Sequence, residues 1–73
     1  MENPAMQPVI SSNVTEIGYE ASTGKLSVRF KTGVLYTYSG VPQQEFTDLM
    51  SASSVGSYLA QHIKKTYPCE QVG

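Results

Sequence analysis

Two residue types that often carry out covalent chemistry occur once each in this 73-residue chain, as His62 and Cys69. A nucleophilic side chain needs a neighbouring base, and that base needs a third group to orient it. Cys69 follows His62 by seven positions, beyond Pro68, and no acidic residue stands in a pattern with the pair. A single histidine and a single cysteine also lack the ligand spacing of a zinc site. We therefore predict no enzyme activity, no metal and no cofactor, and we expect His62 at the edge of a packed helix face.

Tyr36 and Tyr38 suggest a second chemistry, because aromatic side chains on a sheet can stack on RNA bases. In a strand both tyrosines share the face of Val34, and the pairing argued below sets them opposite Val28 and Leu26. Tyrosine can bury its ring while its hydroxyl stays at a wet edge. The pattern therefore favours core packing over a stacking platform. If the two hydroxyls reach the surface, we expect the working site there, beside the end of the last helix.

Contact with phosphate groups would be a third chemistry. The chain has five Lys and Arg residues against six Asp and Glu residues, a formal net charge of −1. Affinity for nucleic acid grows with the number of phosphates that Lys and Arg neutralise, so a dominant basic surface is excluded. Small local patches remain, formed by Lys25, Arg29 and Lys31 in one strand and its turn and by His62, Lys64 and Lys65 at the end of the last helix.

Size and composition indicate one small domain. The chain is 40% hydrophobic, which is too much for a disordered protein. Apolar runs fall short of the roughly 18–20 residues that span a bilayer, and the first residues do not resemble a secretion signal. The lone cysteine cannot form an internal disulfide. A cytoplasmic protein without membrane association is the expectation.

The elements that position these residues follow from two periodicities. Residues 14–38 alternate apolar and polar side chains, which predicts three strands separated by loops at residues 21–24 and 31–33. The second loop pairs Phe30 with Val34 and places Gly33 where a left-handed residue is needed. With these loops both hairpins bury one common face of the sheet, which carries Ile17, Tyr19, Leu26, Val28, Phe30, Val34, Tyr36 and Tyr38.

After residue 41 the apolar period changes to that of helices. Pro42 suits the first position of a helix. Ser53 or Ser54 can cap a second helix, which Pro68 ends. Each helix has one stripe of residues at helical spacing, formed by Phe46, Leu49 and Met50 in the first and by Val55, Tyr58, Leu59, His62 and Ile63 in the second.

The predicted fold is therefore of the α+β class. A three-stranded antiparallel meander is followed by two helices that pack on one sheet face, in the order βββαα. We expect a flexible N-terminal leader at residues 1–11, a single domain at residues 12–68 and a C-terminal tail at residues 69–73.

Four stretches of the chain, taken in order from about Ser12 to Pro68, carry a family resemblance. They are Ser12-Asn13-Val14 with Ile17-Gly18-Tyr19, residues 33–38 with their Tyr-x-Tyr, Val41-Pro42, and residues 52–59 with 63–67. Together they resemble the KTSC family, a short domain named for its place at the C-terminus of some lysyl-tRNA synthetases, which also occurs as free-standing bacterial and phage proteins.

The last of these stretches departs from the family pattern. Ile63-Lys64-Lys65-Thr66-Tyr67 stands where the family usually reads Ile-Arg-Gly-Lys-Tyr. A bidentate contact specific to arginine is therefore not expected there. The resemblance implies the same single α+β domain and, through the synthetase context, RNA binding as one function.

Two functions are compatible with these observations. The first is a non-catalytic module that docks to a protein partner or to a second copy of the chain, as an accessory or phage-type factor. It fits the near-neutral charge, the open sheet face and the sheet edges. The alternative is an RNA- or tRNA-binding accessory domain. The candidate binding residues are Arg29, Lys31, Tyr36, Tyr38, His62, Lys64, Lys65 and Tyr67.

Overall fold

An antiparallel sheet lies at the centre of the computed structural model, which describes residues 6–72. Five strands among these residues pair in chain order. They are β1 (Met6–Pro8), β2 (Val14–Glu20), β3 (Lys25–Phe30), β4 (Leu35–Tyr38) and β5 (Cys69–Gln71). The α+β class is confirmed, and the helices lie between β4 and β5 in the chain.

The two outer strands correct the predicted three-stranded sheet. β1 pairs with β2, and β5 pairs with β4, so each covers an edge that the prediction left open. Both are three residues long, without an apolar alternation, and their pairing depends on backbone hydrogen bonds. β1 falls within the predicted leader and β5 within the predicted tail. Residues 1–5 of that leader and residue 73 of that tail lie outside the described part of the chain.

The predicted register of the central strands is confirmed. Ile17 pairs with Val28, which in turn pairs with Tyr36. In the β3–β4 turn the Phe30 amide donates to the Val34 carbonyl oxygen at 2.9 Å, and Gly33 adopts a φ of 93°. The paired residues Ile17, Val28 and Tyr36 thus share one face, as the period-2 pattern requires.

A β-bulge near Thr15 sets the start of β2. Val14 and Ile17 are three positions apart, yet both are fully buried on the same face. The register shifts between Val14 and Glu16, which inserts the extra residue that this spacing needs. As a consequence Glu16 faces the other side of the sheet, opposite Arg29.

Two helical segments follow β4. α1 (Gln43–Ser51) begins one residue later than predicted, since Pro42 keeps an extended backbone and its carbonyl oxygen accepts from the Glu45 amide at 3.0 Å. α2 (Val55–Tyr58) is capped by Ser54, whose hydroxyl accepts from the Ser57 amide. α2 continues into a π-helical turn at Leu59–Ile63, hereafter the π turn.

The hydrophobic core lies between the inner sheet face and these helical segments. Tyr19, Phe30 and Tyr36 are half-buried against it. Its buried members are Val14, Ile17, Leu26, Val28, Tyr38, Val41, Leu49, Val55, Leu59 and Ile63. Within residues 6–72, none of the helices is both long and apolar enough to cross a membrane.

Candidate functional site

One carboxylate joins two helices and the loop that follows the π turn, at the surface of the helical layer. The Tyr58 hydroxyl donates to Oε1 of Glu45, and the Tyr67 hydroxyl donates to Oε2 at 3.2 Å. Glu45 lies in the first turn of α1, Tyr58 is the last residue of α2, and Tyr67 follows the π turn. All three side chains are half-buried. We call these three residues the acid–tyrosine cluster.

The shared carboxylate changes the acidity of both phenols. Its hydrogen bond raises the pKa of Tyr58 to about 12, with smaller contributions from burial and from nearby negative charges. Burial raises the pKa of Tyr67, and the hydrogen bond to Glu45 adds to it. Both hydroxyls therefore stay protonated and act as hydrogen-bond donors, which does not suit a nucleophile.

His62 extends the cluster into a larger aromatic surface. Its imidazole stacks on the Tyr58 ring with the centroids 4.4 Å apart and the planes 28° from parallel. The His62 side chain is exposed and lies within the π turn. The Lys64 amide closes that turn by donating to the Leu59 carbonyl oxygen at 2.9 Å, five residues back. Turns of this kind are rare and often occur at functional sites.

The sheet fixes the helix that carries Glu45. Tyr19 of β2 stacks on Phe46 with ring centroids 4.8 Å apart, and its hydroxyl donates to the Val41 carbonyl oxygen at 2.6 Å. These two contacts hold the start of α1 over the inner face. Glu45 is the residue before Phe46, so these contacts also fix the backbone that carries the carboxylate. From that position the carboxylate contacts Tyr58 and Tyr67.

The aromatic strand lies beneath this layer. Tyr38 is 1% exposed and belongs to the core, as the register argument predicted. Burial raises the pKa of its hydroxyl to about 12, and the neighbouring Cys69 and Tyr36 contribute. The half-buried Tyr36 ring meets Phe30 edge to face at 5.6 Å. The buried Tyr38 ring thus has no open face for base stacking, and the Tyr36 ring is partly covered by the core.

Two of the predicted basic residues lie at one end of the sheet. The Arg29 guanidinium faces the helix-free side, where its Nε atom is 3.1 Å from Oε2 of Glu16. Its Nη1 atom donates to the Gly33 carbonyl oxygen at 3.2 Å. Lys31 is exposed in the β3–β4 turn, and its backbone amide donates to the Asn13 carbonyl oxygen.

The other two basic residues adjoin the opposite end of the sheet. Lys64 and Lys65 are exposed just after the π turn. The chain then reaches the end of β4, where the Ser39 amide donates to the Pro68 carbonyl oxygen at 3.1 Å. The four predicted phosphate contacts are thus divided between two ends of the fold, with Arg29 already paired to an acid.

Two of the predicted binding residues do come together around the cluster. Tyr67 belongs to it, and His62 stacks on it. Glu45, which joins them, was missed by the sequence reasoning. An acidic residue in a first helical turn is ordinary, because it complements the helix dipole. Its bond to Tyr67 spans 22 positions, and no local pattern reports such a contact.

Across residues 6–72, no three His, Cys, Asp or Glu side chains come together as metal ligands. Cys69 has a free, exposed thiol on β5.

Comparison with known proteins places the chain among relatives of similar length. A family model for the KTSC domain matches residues 10–67. A protein of Tsukamurella paurometabola is 37% identical over 62 residues, which make up 85% of this chain and 92% of that protein. A protein of Stutzerimonas stutzeri is 34% identical over 64 residues, or 88% of this chain and 86% of that protein.

A solved structure is similar over nearly its whole length. The crystal structure of a KTSC domain protein from Yersinia pestis superposes with a TM-score of 0.92 at 34% sequence identity. The superposition covers 97% of this chain and 100% of that one.

Proposed function

The chain belongs to the KTSC domain family, and from that premise we propose that it is a small, non-catalytic module that docks to a protein partner. The docking surface is the acid–tyrosine cluster together with His62. A single observation carries the proposal: Glu45 fixes both tyrosine hydroxyls, and His62 stacks on one of the two rings.

Preorganisation is the physical advantage of this surface. Tyrosine brings a large contact area with few rotatable bonds, and it is enriched at protein interfaces. Hydrogen bonds to Glu45 already restrain both rings, so that less side-chain entropy is lost on binding. The exposed Lys64 and Lys65 follow the same turn and would lie at the polar rim.

The same geometry argues against catalysis. The pKa of each cluster tyrosine is raised, which makes the phenolate form that would act as a nucleophile scarcer than for an ordinary tyrosine. The His62 ring stacks on Tyr58, whereas Cys69 pairs with Tyr38 on β4. The two residues that could have formed a nucleophile and base thus have different neighbours.

RNA binding is the alternative that the test must separate. It would depend on Arg29, Lys31, Lys64 and Lys65 acting together on phosphates. Their division between two ends of the sheet favours a protein partner over RNA.

An affinity pull-down from bacterial lysate, with and without nuclease, tests the proposal. We expect a discrete protein that is retained after nuclease treatment and lost in the His62→Ala variant. Thr32→Ala is the matched control, because Thr32 is exposed in the β3–β4 turn, far along the chain from the cluster. Retention of RNA that falls steeply with salt would support the alternative instead. A partner that binds both variants equally would place the docking surface elsewhere.

A further inference from the structure

The acid–tyrosine cluster holds a negative charge without a positive partner in the described chain. Within residues 6–72 the ion pair between Arg29 and Glu16 is the only one formed. Glu45 is half-buried, and its contacts are the two neutral hydroxyls of Tyr58 and Tyr67. The dipole of α1 compensates part of this charge, because Glu45 lies in the first turn of that helix, but no Lys or Arg side chain among the described residues forms an ion pair with it.

The carboxylate also retains acceptor capacity. A carboxylate offers about four lone-pair sites on its two oxygens. Tyr58 uses one site on Oε1, and Tyr67 uses one site on Oε2. Each oxygen therefore retains acceptor capacity for a further hydrogen bond.

The surroundings of Glu45 favour a flat cation. The rings of Tyr58, Tyr67 and His62 belong to the same surface, and Tyr58 and His62 are already stacked. A guanidinium group is planar, stacks on aromatic faces and donates two parallel N–H groups to a carboxylate. An ammonium group has neither the flat face nor the fork, although it carries the same charge.

We infer that the acid–tyrosine cluster binds the guanidinium group of an arginine on the partner protein. This inference rests on the proposed docking function and specifies the chemistry that the partner must present. The arginine would donate its fork to the free lone pairs of Glu45 and lie against the aromatic surface. Binding would compensate the charge of Glu45 while leaving the two tyrosine hydrogen bonds in place.

The test is an NMR titration of the isotopically labelled full chain with single-residue probes at constant ionic strength. The probes are N-acetyl-arginine-N-methylamide, its citrulline analogue, which is neutral and nearly the same shape, and its lysine analogue. We expect saturable shifts at Glu45, Tyr58 and Tyr67 with the arginine probe at millimolar concentration. We expect binding at least about tenfold weaker with the other two probes, which corresponds to about 1.4 kcal/mol.

Two variants separate the effect of the Glu45 carboxylate on binding from the effect of the net charge of the domain. Glu45→Gln should weaken binding of the arginine probe at least about tenfold. Glu70→Gln makes the same change of charge on β5, where Glu70 pairs with Thr37, and should leave binding unchanged. If Glu45→Gln does not fold, the comparison of the three probes on the native chain is still a complete test.

Two results would overturn the inference. One is equal binding of arginine and citrulline or of arginine and lysine, and the other is unchanged arginine binding in a folded Glu45→Gln protein. The pull-down distinguishes this failure from failure of the docking function. Suppose that the pull-down retains a nuclease-resistant partner that depends on His62, while the arginine probe does not bind. The docking function would then be supported, and the guanidinium inference would be rejected.

Discussion

The Tyr19 hydroxyl donates a 2.6 Å hydrogen bond to the Val41 carbonyl oxygen, which joins β2 to the chain just before α1. Val41 is buried, with 1% of its surface exposed. If the Tyr19 hydroxyl is removed, the Val41 carbonyl oxygen loses its hydrogen-bond partner. The folded state then bears the full free-energy cost of desolvating that oxygen.

Tyr19→Phe should therefore lower the free energy of unfolding by about 1–3 kcal/mol. Tyr36→Phe is the matched control, because Tyr36 is also a half-buried strand tyrosine and its hydroxyl has no hydrogen-bond partner among the described residues. We expect its effect to stay within about 0.5 kcal/mol. Urea unfolding followed by circular dichroism measures both. Equal losses would mean that the Val41 bond contributes nothing particular.

Alanine substitutions at two glycines distinguish the energetic cost of backbone strain from the cost of steric crowding. Gly24 and Gly40 both adopt a φ of 73°. A Cβ atom on Gly24 would lie 3.3 Å from the Val41 carbonyl oxygen, whereas one on Gly40 would meet nothing within 4 Å. Both alanine variants should lose about 1–2 kcal/mol from the left-handed backbone. Gly24→Ala should lose more, since a backbone atom must also move. A Gly40→Ala loss that equals or exceeds that of Gly24→Ala would contradict the crowding argument.

The energetic coupling of Glu45 and Tyr67 can be measured with a double-mutant cycle. Tyr67→Phe removes one donor from the Glu45 carboxylate and should cost about 1–2 kcal/mol in the native chain. In a Glu45→Ala background the same change should cost much less, because the acceptor is already absent. Unfolding free energies of the four proteins give the coupling directly. A Tyr67→Phe cost that is the same in both backgrounds would show that the 3.2 Å contact does not stabilise the fold.

Alkaline pH should weaken the cluster in a defined range. The hydrogen bond to Glu45 raises the pKa of Tyr58 to about 12, while tyrosine in an unfolded chain ionises near 10. Stability that depends on the protonated hydroxyl is therefore complete below about pH 10 and is lost as the pH rises toward 12.

Urea unfolding at a series of pH values from 8 to about 11.5 tests this range. The Tyr58→Phe protein should lose stability less steeply above pH 10 than the native chain. Lysine ionisation affects both proteins alike, so the difference between them isolates Tyr58. Parallel curves for the two proteins would contradict the assignment.

The central strands were predictable because burial on one face allows one register. A shift of one residue would have turned Val28 and Tyr36 to different sides, and the loop lengths follow from that condition. β1 and β5 gave no such signal, since a three-residue strand of mixed polarity is held by backbone hydrogen bonds. The bulge at Thr15 could be suspected from the buried pair Val14 and Ile17, but only once their burial is known.

The site was less predictable than the sheet. His62 and Tyr67 could be named from their residue types and their place in the last helix. The π turn and the bond between Glu45 and Tyr67 arise from packing between segments that are distant in the chain. Tertiary contacts of this kind carry no periodicity, which is why Glu45 was missed.

The place of β5 in the sheet has a consequence for how the protein is synthesised. β4 ends at residue 38, and its second neighbour begins at residue 69. During translation β2, β3 and β4 can pair in order as they emerge, while the outer edge of β4 stays bare until both helices have left the ribosome. A nascent chain therefore passes through a stage in which an unpaired strand edge is open to other chains. The strand that closes this edge is β5, which follows both helices in the chain.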